Sequence, residues 1–362
     1  MNRVTINLEA LQHNLRALDS IIREHGATWT IVTKVLCGHE DTLKALHGFG
    51  VKSVGESRLM NLRAIASVMP QTECWYLRPP HLSRVKEIVE LTSVSLNSET
   101  GVIKAINEEA QRQGKIHKVV IMIELGDLRE GILPGTLIRF YEQVFNLEHI
   151  EVVGIGANLG CLSGAIPSID QLMQLVLYKE LLELKFNHPL PLISAGSSAL
   201  LPLLTDKSVP KPINHFRVGE SLFLGTDLIH GGTIPGLRED VVRVEAEIAE
   251  IKEKSLTPLV ETADISPFAS TQECDDFTPG QRGYRALVTL GQLDTDVSGL
   301  TPVHPDYQIA GASSDITVVN LGDSPDGLKV GDTIQFKVSY SALLRLMNGR
   351  YLDKALIENQ HR

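Results

Sequence analysis

The chain opens on a short β-like run at residues 3–7. Leu8, Leu11, Leu15 and Leu18 then recur at helical spacing and predict an amphipathic helix. The pattern next alternates. Apolar, β-rich runs stand at residues 28–36, 52–54, 74–77, 93–96, 118–125, 152–158, 192–195 and 216–218. Segments of helical periodicity at 41–47, 57–68, 82–89, 101–112, 136–145, 169–184 and 199–204 lie between them. Near-continuous apolar strands interleaved with helices imply a parallel sheet covered on its outside. Eight strand-then-helix units predict closure into a (β/α)8 barrel of the TIM type, with an open doubly wound sheet as the alternative.

From about Gly231 the texture changes. Helical periodicity stops, and runs at 241–251, 286–290, 308–320 and 333–340 read as strands separated by Gly, Pro and Asp turns. The chain therefore divides into a barrel over residues 8–230 and an all-β domain over 231–362, with residues 1–7 expected to pair with the second. The polar loop at 262–283 is long for a compact domain and reads as a surface excursion or an active-site loop.

At 43% hydrophobic and 22% charged residues over 362 positions, the composition is ordinary and allows two buried cores. A formal net charge of −10, with no basic run or basic amphipathic helix, argues against a nucleic-acid or anionic-membrane binder and for small-molecule chemistry. The cysteines Cys37, Cys74, Cys161 and Cys274 show no CxxC spacing. They fit neither a disulfide framework nor a zinc site and read as reduced thiols of a cytoplasmic protein. No apolar signal core precedes Asn7, and no stretch is long enough to span a bilayer.

The chemistry centres on Thr30-Ile31-Val32-Thr33-Lys34-Val35-Leu36. An ammonium in an apolar strand loses its hydration and must be paired or neutralised. Covalent capture as a Schiff base does this; the bland alternative is a strand-end lysine reaching back to solvent. In a barrel the chemistry sits at the C-terminal strand ends, where Lys34, Arg129, Asn158, Ser198 and Arg217 all fall in this reading. Ser194-Ala195-Gly196-Ser197-Ser198-Ala199 leads from a strand into a helix and makes a phosphate cradle or, more blandly, an N-cap. His215-Phe216-Arg217-Val218-Gly219-Glu220 ends the eighth strand, and loops after strands seven and eight commonly bind phosphate in barrels. Lysine at strand one with phosphate contacts at strands seven and eight describes a phosphorylated aldehyde.

These motifs, together with Gly126-Asp127-Leu128-Arg129-Glu130-Gly131 and Gly311-Ala312-Ser313-Ser314-Asp315, resemble the pyridoxal-phosphate-dependent alanine racemase fold (PLP fold type III), closest to the bacterial ornithine racemase group. The resemblance runs over essentially the whole chain. It implies a PLP-dependent amino-acid racemase in which Lys34 holds pyridoxal 5'-phosphate and serves Cα on one face. It implies cofactor contacts from Asn158, Ser197, Ser198, Arg217, Gly219, Glu220 and Tyr351, with Arg217 facing the pyridine nitrogen. Arg129, Ser313 and Ser314 are implied on the substrate. A packing role for Tyr351 and a surface ion pair for Arg129 remain the plainer readings.

Departures bear on the substrate. Gly38 stands where alanine racemases place a tyrosine four residues after the lysine, and Gln292 stands where they place the catalytic tyrosine of the second domain. Alanine is thereby put in doubt, and a basic amino acid such as ornithine or lysine is expected. An arginine at the pyridine nitrogen leaves it unprotonated, which favours racemisation over decarboxylation. The alternatives are a decarboxylase of the same fold and a non-catalytic PLP carrier; residues 231–362 argue against the carrier. No histidine–aspartate metal pair is evident. The resemblance implies a head-to-tail homodimer, with the second acid/base coming from the partner. Asp294, two residues beyond Gln292 on the same side of an extended strand, is the first candidate, and Ser313 and Ser314 are its rivals. A turn-capping role for Asp294 is the bland reading.

Overall fold

The computed structural model describes residues 2–260 and 278–358, so most of the predicted 262–283 loop, and Cys274 with it, lies outside the described residues. Two compact units emerge, one of residues 12–238 and one of residues 1–11 with 239–362.

The larger unit is a closed parallel barrel. Strand β1 (Arg3–Asn7) belongs to the other unit, and the staves are β2 (Thr28–Val32), β3 (Ser53–Glu56), β4 (Glu73–Tyr76), β5 (Val94–Asn97), β6 (His117–Met122), β7 (Ile150–Ala157), β8 (Leu192–Ala195) and β9 (His215–Val218). Each pairs with the next, and β9 returns to β2 with Arg217 beside Thr30. All eight predicted strands are present, and a helix follows each of them, so the open-sheet alternative falls. The lumen is filled by Trp75, Val94, Leu96, Val120 and Met122, with Leu77, Val153 and Leu192 packed against them. The strands read as apolar runs because outward residues also meet helices. After α1 (Leu8–His25), these are α2 (Glu40–Gly48), α3 (Leu59–Val68), α4 (Val85–Leu91), α5 (Thr100–Arg112), α6 (Leu137–Val144), α7 (Ile169–Phe186), α8 (Leu201–Thr205) and α9 (Glu220–Leu224).

One boundary differs in a way that matters. The run predicted as strand through residue 36 leaves the sheet after Val32, and Lys34–Leu36 form a 3₁₀ turn. Its hydrophobicity persists because Val35 and Leu36 are buried beneath that turn. Cys37 and Gly38 follow in left-handed conformation, at φ 49° and 79°. Lys34 is therefore the first residue of a turn at the barrel's C-terminal mouth.

In the second unit, β10 (Val242–Ser255), β11 (Arg282–Val288), β12 (Leu300–Pro302), β13 (Gln308–Ala312), β14 (Thr317–Gly322) and β15 (Thr333–Val338) form a sheet in the order β12-β15-β10-β11-β14-β13. Strand β1 lies antiparallel to β10 and parallel to β16 (Asp353–Ile357). Two expectations are corrected. The run 308–320 is a hairpin of two strands with a tip at 313–316, not one strand. The unit also carries a helix, α10 (Tyr340–Asn348), capped by Ser339 and burying Ala342, Leu343, Leu346 and Met347 at helical spacing. No helix among the described residues is long and apolar enough to cross a membrane.

Candidate active site

Lys34 is half-buried and, with Ser57, Arg58, Leu77, Arg78, Arg129 and Glu130, lines a cavity of about 540 Å³. Two carboxylates stand near enough to feel its charge. Glu56, at the end of β3, is fully buried and accepts from the backbone N–H groups of Ser57 and Arg58 and from Asn61 Nδ2. Glu220 opens α9 and accepts from Thr226 Oγ1. Burial pushes both carboxyl groups up, and Lys34 pulls each of them partly back.

Arg217 is 4% exposed inside the barrel. Nη1 donates to Ser194 O at 2.9 Å and to Ser194 Oγ; Nη2 donates to Ala157 O at 2.9 Å and Asn158 Oδ1 at 2.7 Å. Burial lowers its pKa to about 10, so it remains a cation at neutral pH. Asn158 also donates through Nδ2 to Glu130, whose carboxylate pairs with Arg129. Arg129, Glu130, Asn158 and Arg217 are thus one connected polar set, and the Arg129 ion pair lies within the cavity rather than on an outer surface.

The loop carrying Arg129 is folded by carboxylates the sequence reading did not single out. Glu124 accepts from the N–H groups of Gly126, Leu128 and Arg129, and Leu128 sits at φ 55°. Buried Asp127 gathers the N–H groups of Cys161, Leu162 and Ser163, which brings Cys161 Sγ to 2.8 Å from Arg129 Nη1. The signal for Asp127 was its place beside Gly126 just past the end of a strand, with Glu124 two residues before that glycine. Glu56 had a similar signal.

Ser197 caps the turn after β8, its Oγ accepting from Ala199 N–H and donating to Leu159 O. Buried Ser198 accepts at Oγ from Ser221 N–H at 3.2 Å, tying the turn after β8 to α9 after β9. At these two strand ends the N–H groups of Ser198, Gly219 and Glu220 have no acceptor among the described residues. Gly219 also packs so tightly on β2 that a Cβ there would lie 2.9 Å from Val32 Cβ. Unfilled backbone donors converging from two strand ends suit a phosphate, and a lysine and an arginine lie in the same barrel mouth. The residues present fit pyridoxal 5'-phosphate.

Asp294, Ser313, Ser314 and Tyr351 belong to the other unit. Residues 292–294 form a turn, not the extended strand expected for them, and Asp294 Oδ2 accepts from Gly291 N–H at 3.0 Å. The turn is closed against the 313–316 tip, with Gln292 N–H donating to Ser313 O and Leu293 N–H to Ser314 O, both at 2.9 Å. Only glycine fits at 291, where a Cβ would lie 2.3 Å from Ser314 O. Two segments distant in sequence therefore present Gln292, Asp294, Ser313 and Ser314 together. Tyr351 is 69% exposed, with the Arg350 guanidinium 5.2 Å from its ring centroid.

A lysine-bearing TIM-type barrel followed by a β-sheet unit is the architecture of the alanine racemases, and the comparisons agree. The family model for the alanine racemase N-terminal domain matches residues 6–227. The chain belongs to this family and is an amino-acid racemase. It is 35% identical to an ornithine racemase of Acetoanaerobium sticklandii over 98% of this chain and 99% of that protein. It is 31% identical to a lysine racemase of Thermotoga maritima over 97% of each. Among solved structures, an alanine racemase of Bartonella henselae with covalently bound pyridoxal phosphate superposes with a TM-score of 0.74 at 15% identity, covering 98% of this chain and 99% of that one.

Proposed function

We propose that this racemase acts on a basic amino acid, ornithine or lysine, using pyridoxal 5'-phosphate held by Lys34. The end-to-end match with an ornithine and a lysine racemase carries the reading. Gly38 adds to it. At φ 79°, with its missing Cβ 3.2 Å from Asn61 Oδ1, this position does not accept the tyrosine of alanine racemases without local rearrangement.

When bound, the cofactor delocalises the charge left on Cα as its proton departs. Lys34 Nζ takes and returns that proton on one face of Cα. Arg129, fixed by Glu130 and the Glu124-folded loop, receives the substrate carboxylate beside Arg58 and Arg78. The N–H groups of Ser198, Gly219 and Glu220 hold the phosphate. Asn158 aligns Arg217 with Glu130, and the buried guanidinium would face the pyridine nitrogen as a cation and so disfavour protonation of that nitrogen. The second face is served by the 291–294 turn and the 313–316 tip of a partner subunit in a head-to-tail homodimer. Reduced thiols at Cys37, Cys74 and Cys161 accord with a cytoplasmic setting.

The test is chiral chromatography of L-ornithine, L-lysine and L-alanine after incubation with the cofactor-loaded enzyme. Racemisation of ornithine or lysine well ahead of alanine supports the proposal. Preference for alanine, or release of carbon dioxide in place of the D-isomer, overturns it.

A further inference from the structure

The interior of the barrel holds a line of polar side chains at positions that normally pack apolar residues. Glu73, Ser53, Thr30, His215 and Ser194 stand on β4, β3, β2, β9 and β8. Ser53 Oγ lies 3.4 Å from Glu73 Oε2 and 2.7 Å from Thr30 Oγ1. Thr30 Oγ1 lies 3.0 Å from His215 Nε2, and His215 Nδ1 lies 2.9 Å from Ser194 Oγ. Ser194 Oγ in turn accepts from Arg217 Nη1.

The Glu73 end of this line fixes its direction. A carboxylate only accepts, so Ser53 gives its one O–H to Glu73 and must accept from Thr30. Thr30, with its own O–H spent, must accept from His215 Nε2–H. A neutral His215 ring then accepts at Nδ1 from Ser194, whose Oγ also accepts from Arg217. Trp75 reinforces the line at its start and at its centre, donating from Nε1 to Glu73 at 2.9 Å and stacking on the His215 ring at 4.5 Å and 7°. Burial, with the Arg217 charge adding to it, drops the His215 pKa to about 3, so the ring stays neutral as the chain requires.

At the far end, the four terminal N–H bonds of Arg217 are all committed: two to Ser194, one to Ala157 O and one to Asn158. Its Nε–H is left with no acceptor among the described residues. At the near end, Glu73 and Ser53 border a cavity of about 800 Å³ at the barrel's N-terminal mouth.

We propose that His215 is a positioning residue, the centre of a one-directional hydrogen-bond chain from Glu73 that locks the Arg217 guanidinium so that only Nε–H faces the cofactor ring. The proposal rests on the reading that Arg217 meets that ring. Losing one link should release the guanidinium and let the pyridine nitrogen gain a proton, which raises side reactions relative to racemisation. Substrate binding, which uses other residues, should hardly change.

The first arm of the test needs no cofactor. In full-length protein labelled with ¹⁵N-histidine, with His215 assigned by its loss in His215→Asn, the ring should be a single neutral Nε2–H tautomer from pH 8 to pH 5. An Nδ1–H tautomer or a protonated ring overturns the proposal. The second arm uses Thr30→Val, which keeps the shape and removes the link. His215 should shift toward the Nδ1–H tautomer. In the loaded enzyme, transamination per racemisation turnover should rise about tenfold, the effect of one buried hydrogen bond lost, with KM unchanged. An unchanged tautomer and an unchanged ratio in a folded Thr30→Val protein overturn the positioning role. If wild type loads no cofactor, the functional reading fails, while the tautomer arm still decides the chain.

Discussion

The hydroxyl of Ser314 donates to the carboxylate of Asp315 at 2.6 Å, at the tip of the β13–β14 hairpin. A hydroxyl held against a carboxylate can pass a proton, which an amide at Gln292 cannot usefully do near neutral pH. Asp294, by contrast, places Oδ2 on Gly291 N–H and holds the turn that supports the same tip. Ser314→Ala should therefore slow α-proton exchange with heavy water from one enantiomer by about a hundredfold relative to the other. Asp294→Asn should affect both enantiomers alike. The reverse pattern would restore Asp294 as the second acid/base.

Arg217 can be tested for its control of reaction type. A glutamate at 217 would set a carboxylate against the oxygens of Ser194, Ala157 and Asn158, so Arg217→Gln is the cleaner change. It keeps a donor and loses the cation. Transamination relative to racemisation should rise, read by formation of the keto acid. An unchanged ratio would show that the guanidinium does not face the ring.

His117 gives a pH prediction independent of the site. Buried at the start of β6 against Ser95 Oγ, its pKa is lowered by burial to about 4 from an ordinary 6.5. Below 6.5 the unfolded chain takes up a proton that the folded one refuses, so stability falls with falling pH; above 6.5 there is no effect. Each pH unit between 6.5 and about 4 should cost the wild type about 1.4 kcal/mol that His117→Gln does not lose. Urea midpoints at pH 7 and pH 5 measure it, and parallel losses in the two proteins would refute it.

The alternating apolar runs made the barrel legible, because each stave is buried on both faces and so written as a continuous hydrophobic word. The place of Lys34 was legible for a related reason: a cation in such a run has few other uses. The turn holding it was not, since Val35 and Leu36 are buried as completely as strand residues. The 313–316 tip and the 291–294 turn were misread as extended because their partnership joins segments about twenty residues apart, beyond the reach of local pattern. Helix α10 was hidden among strands, though its buried positions follow helical spacing. The Glu73 to Arg217 line was invisible for a different reason. One or two polar residues per strand look like noise until closure of the barrel sets them side by side.

The central claim is that Lys34 carries the cofactor. Borohydride reduction of the loaded enzyme, digestion and mass spectrometry test it most directly. The account predicts the added cofactor mass on the peptide containing Lys34, and a Lys34→Ala protein that is folded, lacks the yellow absorbance and acquires no such mass. Cofactor mass on a different lysine, or reducible cofactor retained by Lys34→Ala, would contradict it.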